Sequence, residues 1–314
     1  MSQNHLADGL IIFLLMKIYN EHKRRGRIWR AVDGQIGFYV VECRKCVKEM
    51  GADVYRAGGV EMVGIYFSGT GNTKYCVERF LACCDGEQEA VSIEDSWAVE
   101  AIRENEVIVF GYPVYFSNMP KIVRDFLEEH QACFCGKKIF LIATMGLFSG
   151  DGTGCSARLF KKYGADIVGG VHLKMPDCIG DERALKRTVR QNHELIEAAG
   201  DKIRKAAEGL KGNRPPREGL GFWYHAAGLF GQRLWFYGKT KDYTDRVHVD
   251  ADKCIGCGKC VSLCPMDNME LRSGKAVQGG RCTMCYRCVN HCPGQAITLL
   301  GKKLYEQCTV EKYL

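Results

Sequence analysis

Several classes of protein are excluded by what this chain lacks. The apolar run at residues 10–16 is too short to span a bilayer. Its basic neighbours Lys23, Arg24 and Arg25 follow the run instead of preceding it, the reverse of a secretory leader, so export is not expected. The formal net charge of +7 contains no long single-sign block and no basic arm interleaved with aromatics, which argues against nucleic-acid binding. No nucleotide site for NAD(P)H is evident, and no histidine or tyrosine stands out as a proton donor. With 314 residues, 46% of them hydrophobic and 26% charged, the chain fits a globular protein of about two domains.

Cysteine, by contrast, is abundant, at 18 residues. Eight fall into two copies of one spacing, Cys254-x2-Cys257-x2-Cys260-x3-Cys264-Pro265 and Cys282-x2-Cys285-x2-Cys288-x3-Cys292-Pro293. This is a spacing for iron–sulfur ligation, whose chemistry is the movement of single electrons. Zinc is the rival occupant, but tetrahedral zinc sites use two separated cysteine pairs, and three closely stepped cysteines plus a fourth suit a cubane better. A disulfide scaffold belongs to short secreted chains. Free thiols and intact clusters point instead to a reducing cytoplasm, and to an anaerobic one. Within the cysteine module, from about residue 247 to 301, each half carries a cysteine run and then a short apolar segment, 269–271 and 296–299, as an internal duplication would produce.

Ahead of that module the texture alternates. Apolar strands are expected at 62–67, 87–93, 106–111, 138–144 and 165–173, and helices at 73–83, 96–105, 120–129, 155–163 and 182–210. Five βα units predict a doubly wound parallel sheet over 62–210. Residues 1–61 have no clear period. Met62 reads as an alternative start, because Gly58-Gly59-Val60-Glu61 can be encoded by a purine-rich stretch resembling a ribosome-binding site; residues 1–61 are then an extension of doubtful translation. Residues 211–246 form a linker followed by an aromatic-rich segment at 222–237. That segment reads either as packing between domains, which is favoured, or as an interfacial membrane element. Residues 302–314 are a tail.

Directly after the first strand comes Ser68-Gly69-Thr70-Gly71-Asn72-Thr73, which opens a helix. Glycines let several N–H groups curl toward one anion, the helix start adds partial positive charge, and the hydroxyls of Ser68, Thr70 and Thr73 can complete a shell around a monophosphate. A Walker A loop would need Lys where Thr70 stands, and a dinucleotide fingerprint would need Gly where Lys74 stands. A capped tight turn is the plainer alternative.

This hexapeptide resembles the FMN-phosphate loop of flavodoxins, and the five βα units resemble their sheet of order 2-1-3-4-5. The resemblance implies a ligand outside the C-terminal ends of strands one and three. It makes Tyr112, Pro113, Val114, Tyr115 and Phe116 a flavin-stacking loop, with Tyr112, Tyr115 and Phe116 as ring candidates; aromatics after a buried strand serve otherwise as core cover. It makes the loop from Thr144, with Gly146, a second flavin edge; an ordinary mobile loop is the other reading. The cysteine module resembles two-cluster ferredoxins, a small α+β fold whose runs exchange their fourth ligands. On that resemblance Cys254, Cys257, Cys260 and Cys292 hold one 4Fe–4S cluster, and Cys282, Cys285, Cys288 and Cys264 hold the other. The module carries six basic and four acidic side chains over 250–300, so it lacks a strongly acidic docking face.

Residues 62–300 as a whole resemble flavodoxin–ferredoxin fusion proteins of anaerobic bacteria. The expected function is electron transfer between FMN and two 4Fe–4S clusters, in a cytoplasmic low-potential carrier that serves redox partner proteins and neither nucleic acid nor membrane. An FMN-dependent reductase of a small molecule and a redox sensor are the alternatives. Cys43-x2-Cys46 has redox-motif spacing without a βαβ context. His291 beside Cys292 reads as flanking or tuning a cluster.

Overall fold

A computed structural model describes residues 62–84, 88–116, 118–147, 150–221, 224 and 245–314. The sequence readings placed on residues 1–61, with Cys43 and Cys46, and on most of 222–237 lie outside the described residues.

The first unit is a five-stranded parallel sheet of order β2-β1-β3-β4-β5, built from β1 (Met62–Tyr66), β2 (Ala90–Ser92), β3 (Val107–Pro113), β4 (Lys138–Met145) and β5 (Asp166–Lys174). Successive residues of a strand face opposite sides, so a strand buried on both faces reads as continuously apolar. In β3, Ile108, Phe110 and Tyr112 join one core and Val107 and Val109 the other. In β4, Ile139 and Leu141 face the first core, Phe140 and Ile142 the second. The first core is closed by α2 (Ala98–Glu104), α3 (Lys121–Glu129) and α4 (Gly152–Lys162). The second is closed by α1 (Asn72–Ala82) and α5 (Val189–Lys211). Helices on both faces bring the loops after β1, β3 and β4 together at one sheet edge.

The last helix begins later than its periodicity suggested. Thr188 caps it at 3.2 Å from the Gln191 N–H, and the Gln191 amide returns to the Thr188 N–H at 2.9 Å, a reciprocal capping box. Residues 175–188, predicted in part as helix, are therefore a loop with one short turn at Arg183–Leu185. The sequence signal was present, since a Thr three residues before a Gln marks a helix start.

The cysteine module is small and irregular. β6 (His248–Val249) pairs with β9 (Ile297–Thr298), and β7 (Met269–Arg272) with β8 (Lys275–Gln278), both antiparallel. The β7–β8 turn uses Ser273 and Gly274 at φ of 48° and 73°, the double positive φ that matches strand twist in a two-residue hairpin. Two single-turn helices, α6 (Lys259–Leu263) and α7 (Arg287–His291), follow equivalent left-handed residues, Gly258 at φ 72° and Tyr286 at φ 59°. The duplication in sequence is thus a duplication in backbone.

The tail returns to the first unit. The Val310 N–H donates to the Thr70 carbonyl at 3.0 Å, and Val310 and Tyr313 are buried in the core under α1 and α5.

Candidate functional site

A cleft of about 210 Å³ opens where the loops after β1, β3 and β4 converge. Of the residues proposed for the flavin, Ser68, Gly69, Thr70, Asn72, Thr73, Pro113, Val114, Tyr115, Phe116, Thr144 and Gly146 all line it. Two of the loop's side-chain oxygens, Ser68 Oγ and Asn72 Oδ1, are buried there without a partner among the described residues. Buried polar atoms of this kind are costly unless something bonds them. The Thr73 and Thr144 hydroxyls share a hydrogen bond of 2.8 Å beneath the loop, and α1 directs its start into the same space. The donor set fits a phosphate group, and the apolar wall above it fits a ring.

Two of the expected residues stand elsewhere. Tyr112 is fully buried in the core on the α4 side, its hydroxyl bonded to the Gly152 carbonyl and to Ser156 Oγ at 2.9 Å, so its ring does not reach the cleft. The strand alternation explains this, because Tyr112 continues the inward phase of Ile108 and Phe110. Gly71 does not line the cleft either. It caps α1 at φ 89°, and a Cβ there would strike the Val310 side chain, so it serves the turn and the tail.

The loop after β5 completes the cleft with Met175, Pro176, Asp177, Cys178 and Ile179, which the sequence did not reveal as site residues. Asn72 reaches across to it, its Nδ2 donating to the Pro176 carbonyl at 2.8 Å. Burial raises the Asp177 carboxyl above the usual carboxylate range, opposed by the Ile179 N–H at 3.0 Å and by the Arg187 guanidinium. Arg187 itself donates from Nη2 to the Gly146 carbonyl at 3.3 Å.

Met284 and Tyr286 close the cleft from the cysteine module. Cys285 lies between them, and its carbonyl is packed so tightly on Gly69 that a Cβ would collide with it. The eight motif cysteines ring two small cavities. One is lined by Cys254, Cys257, Cys260 and Cys292, the other by Cys264, Cys282, Cys285 and Cys288. These are the two exchanged quartets of the sequence reading. Among the described residues no group of His, Cys, Asp or Glu side chains is set to hold a single metal ion. A quartet ringing a cavity suits a cubane, which sits inside its ligands.

The two quartets differ in setting. Around the first, Cys257 is exposed and Ile255 is 70% exposed. N–H groups of Ala276, at 3.4 Å, and Gly256 hold the Cys254 thiol below its ordinary range. Around the second, burial pushes Cys282 to about 11 and Cys285 to about 12, and raises Cys288 well above its usual value. In the absence of a cluster those thiols stay protonated, so loading the second quartet releases protons. Matching N–H groups, Asn268 at 3.2 Å from Cys264 Sγ and Ala296 at 3.4 Å from Cys292 Sγ, follow each exchanged ligand by four residues.

The module is fastened beside the cleft by charged groups. Arg287 forks onto Glu94 at 2.6 and 2.7 Å, donates to the Ser68 carbonyl at 2.8 Å, and lies 5.8 Å from the Phe67 ring centroid. Asp181, buried in the loop after β5, accepts from the Tyr286 hydroxyl at 3.0 Å and from the N–H groups of Leu299, Leu300 and Gly301 at 2.6, 2.9 and 3.0 Å.

Known proteins match both parts. The family described as flavodoxin domain matches residues 64–162, and that described as 4Fe-4S dicluster domain matches residues 246–294. Ferredoxin-2 of Desulfomicrobium norvegicum is 64% identical over 31 residues, 10% of this chain and 52% of that protein. The chain thus spans about half the length of that relative. A ferredoxin of Pyrococcus woesei is 75% identical over 20 residues, 6% of this chain and 95% of that protein. Among solved structures, two-electron reduced Megasphaera elsdenii flavodoxin is 27% identical with a TM-score of 0.34, covering 45% of this chain and 98% of that one.

Proposed function

This chain is a fusion of a flavodoxin domain and a 4Fe–4S dicluster domain, with FMN and iron–sulfur clusters as its cofactors, and on that premise we propose that it passes electrons along its own length between them. The observation that carries this reading is the shared wall: Tyr286 lines both the flavin cleft and the cavity of the second quartet.

FMN accepts one or two electrons and each cubane one, so the pair can convert between two-electron and one-electron partners. The chain's own residues supply position and dryness. Ser68, Thr70, Asn72 and Thr73 would hold the FMN phosphate, and Tyr115 and Phe116 would cover the ring. Cys264, Cys282, Cys285 and Cys288 would hold the cluster next to it, under buried side chains that exclude water. Cys254, Cys257, Cys260 and Cys292 would hold the outer one, where the exposed Cys257 and Ile255 offer a one-electron protein partner close approach. We place the protein in a reducing cytoplasm as a low-potential carrier. Among the described residues no helix is long and apolar enough to cross a membrane.

Anaerobic reconstitution with iron, sulfide and FMN tests the cofactors, and two 4Fe–4S clusters with one FMN per chain are expected. Bound zinc without iron would sink the reading. Photoreduction of the flavin, followed by cluster absorbance, tests the transfer. Its rate should not depend on protein concentration, and a rate proportional to concentration would mean the cofactors meet only between molecules.

A further inference from the structure

A second hollow, of about 870 Å³, lies on the other side of the segment that closes the flavin cleft. Its lining is polar and strongly cationic. Arg183, Lys186 and Arg187 come from the loop and turn before α5, and Lys312 from the tail, against the single carboxylate of Glu306. That carboxylate is already engaged, by Lys312 at 2.5 Å, Lys186 at 3.6 Å and the Tyr313 hydroxyl at 3.2 Å, and these cations hold it below its ordinary range. Arg183 is exposed and has no ion-pair partner among the described residues, whereas Arg187 turns its guanidinium toward the cleft, with Nη1 buried and Nη2 on the Gly146 carbonyl at 3.3 Å. The hollow therefore presents surplus positive charge on Arg183, Lys186 and Lys312, and the Arg183 fork matches phosphate.

Its size and position narrow the ligand. A volume of this order suits a nucleotide and far exceeds a lone phosphate. Tyr305 stands in the wall, 44% exposed, as a ring on which a base can stack. The hollow and the cleft share one partition. Leu185 lines the cleft while its neighbours Arg183, Lys186 and Arg187 line the hollow, and Arg187 reaches through to the Gly146 carbonyl on the cleft wall.

From this we infer a binding site for a pyridine dinucleotide, with its phosphates on Arg183 and Lys186 and one base against Tyr305. A ligand of that length, held there, extends past Leu185 to the flavin cleft. No dinucleotide fingerprint announced it because the hollow is assembled from segments more than a hundred residues apart in sequence. The site deepens the electron-transfer reading by naming a two-electron partner for the cleft, and it rests on that reading only for the use made of the bound dinucleotide.

The test is calorimetric titration of the anaerobically reconstituted full-length protein with NADPH, NADH, ADP and inorganic pyrophosphate. At least one dinucleotide should bind, more tightly than pyrophosphate and less tightly as salt rises. The double variant Arg183→Ala/Lys186→Ala should lose at least tenfold in affinity while iron and FMN contents stay unchanged, since both side chains are exposed. Tyr305→Leu should weaken ADP and dinucleotides but not pyrophosphate. Absence of binding by both dinucleotides, affinity unchanged in the double variant, or pyrophosphate binding as tightly as NADPH would each overturn the site. None of these outcomes touches the photoreduction measurement, so this inference and the electron-transfer reading fail separately.

Discussion

At Tyr286 a bulky side chain holds a left-handed backbone where the equivalent residue of the first cysteine run is Gly258. A non-glycine residue there costs about 1 kcal/mol or more, and such strain persists only when its surroundings enforce it. Here the enforcing contacts are the buried ring, 3% exposed, and the hydrogen bond to Asp181. Tyr286→Phe should therefore cost about 1–2 kcal/mol in anaerobic denaturant unfolding, because Asp181 loses one of its four donors while the ring stays. The phosphate loop offers a second test at this scale. Ser68→Ala should weaken FMN binding about tenfold, measured by flavin fluorescence, since a hydroxyl contact to a charged group contributes about 1.5 kcal/mol. Both the loop and the cysteine runs were legible in the sequence because their chemistry depends on local spacing. Tyr112 was misread for the same reason. Its place in sequence is beside the ring loop, but its side-chain direction is set by the strand's alternation, which only the packed sheet reveals.

Between elements, the loop from 175 to 188 joins the two cofactor regions, and nothing in its composition foretold this. Asp181 is short, buried and bonded to residues more than a hundred positions away, contacts that no periodicity encodes. Asp181→Ala would leave three N–H groups and a tyrosine hydroxyl unpaired, a loss on the order of 3 kcal/mol. Limited proteolysis should show the cysteine module loosened from the sheet, whereas FMN affinity should change little. The other side of the sheet carries a pH-sensitive contact. His172 on β5 accepts from the Thr153 N–H at 3.2 Å through Nε2, its backbone bonds Glu218 at 2.9 Å, and burial lowers its pKa to about 4. A depressed histidine contributes stability that is complete above its unfolded pKa of about 6.5 and disappears as pH falls toward 4. The holoprotein should lose on the order of 2 kcal/mol over that window, and His172→Gln, which keeps an acceptor without titrating, should lose much of this dependence.

For the molecule as a whole, what matters is the order in which the three cofactor regions stand. The parallel sheet was legible in βα alternation, its strand order only in the resemblance to flavodoxins, and the cluster ligands in cysteine spacing. The mutual placement of sheet and cysteine module was not legible, because it depends on Arg287, Asp181 and the returning tail. The second quartet adjoins the cleft through Cys285 and Tyr286, and the first presents the exposed Cys257 to solvent. That sequence makes the exchanged ligands separable by function. Cys292 closes the outer quartet although it belongs to the second run, and Cys264 closes the inner one although it belongs to the first. Cys292→Ser should therefore remove the outer cluster and about half of the iron, slowing reduction by an external one-electron protein donor by at least tenfold. Photoreduced flavin should still pass electrons to the remaining cluster, which stays against the cleft. Cys264→Ser should have the opposite effect, leaving the outer cluster reducible from outside but isolating it from the flavin, since the cluster between them is gone. EPR of each variant, poised chemically and then after flavin photoreduction, distinguishes the two. If both variants lose flavin-to-cluster transfer equally, the relay does not run from the cleft through Cys285 outward.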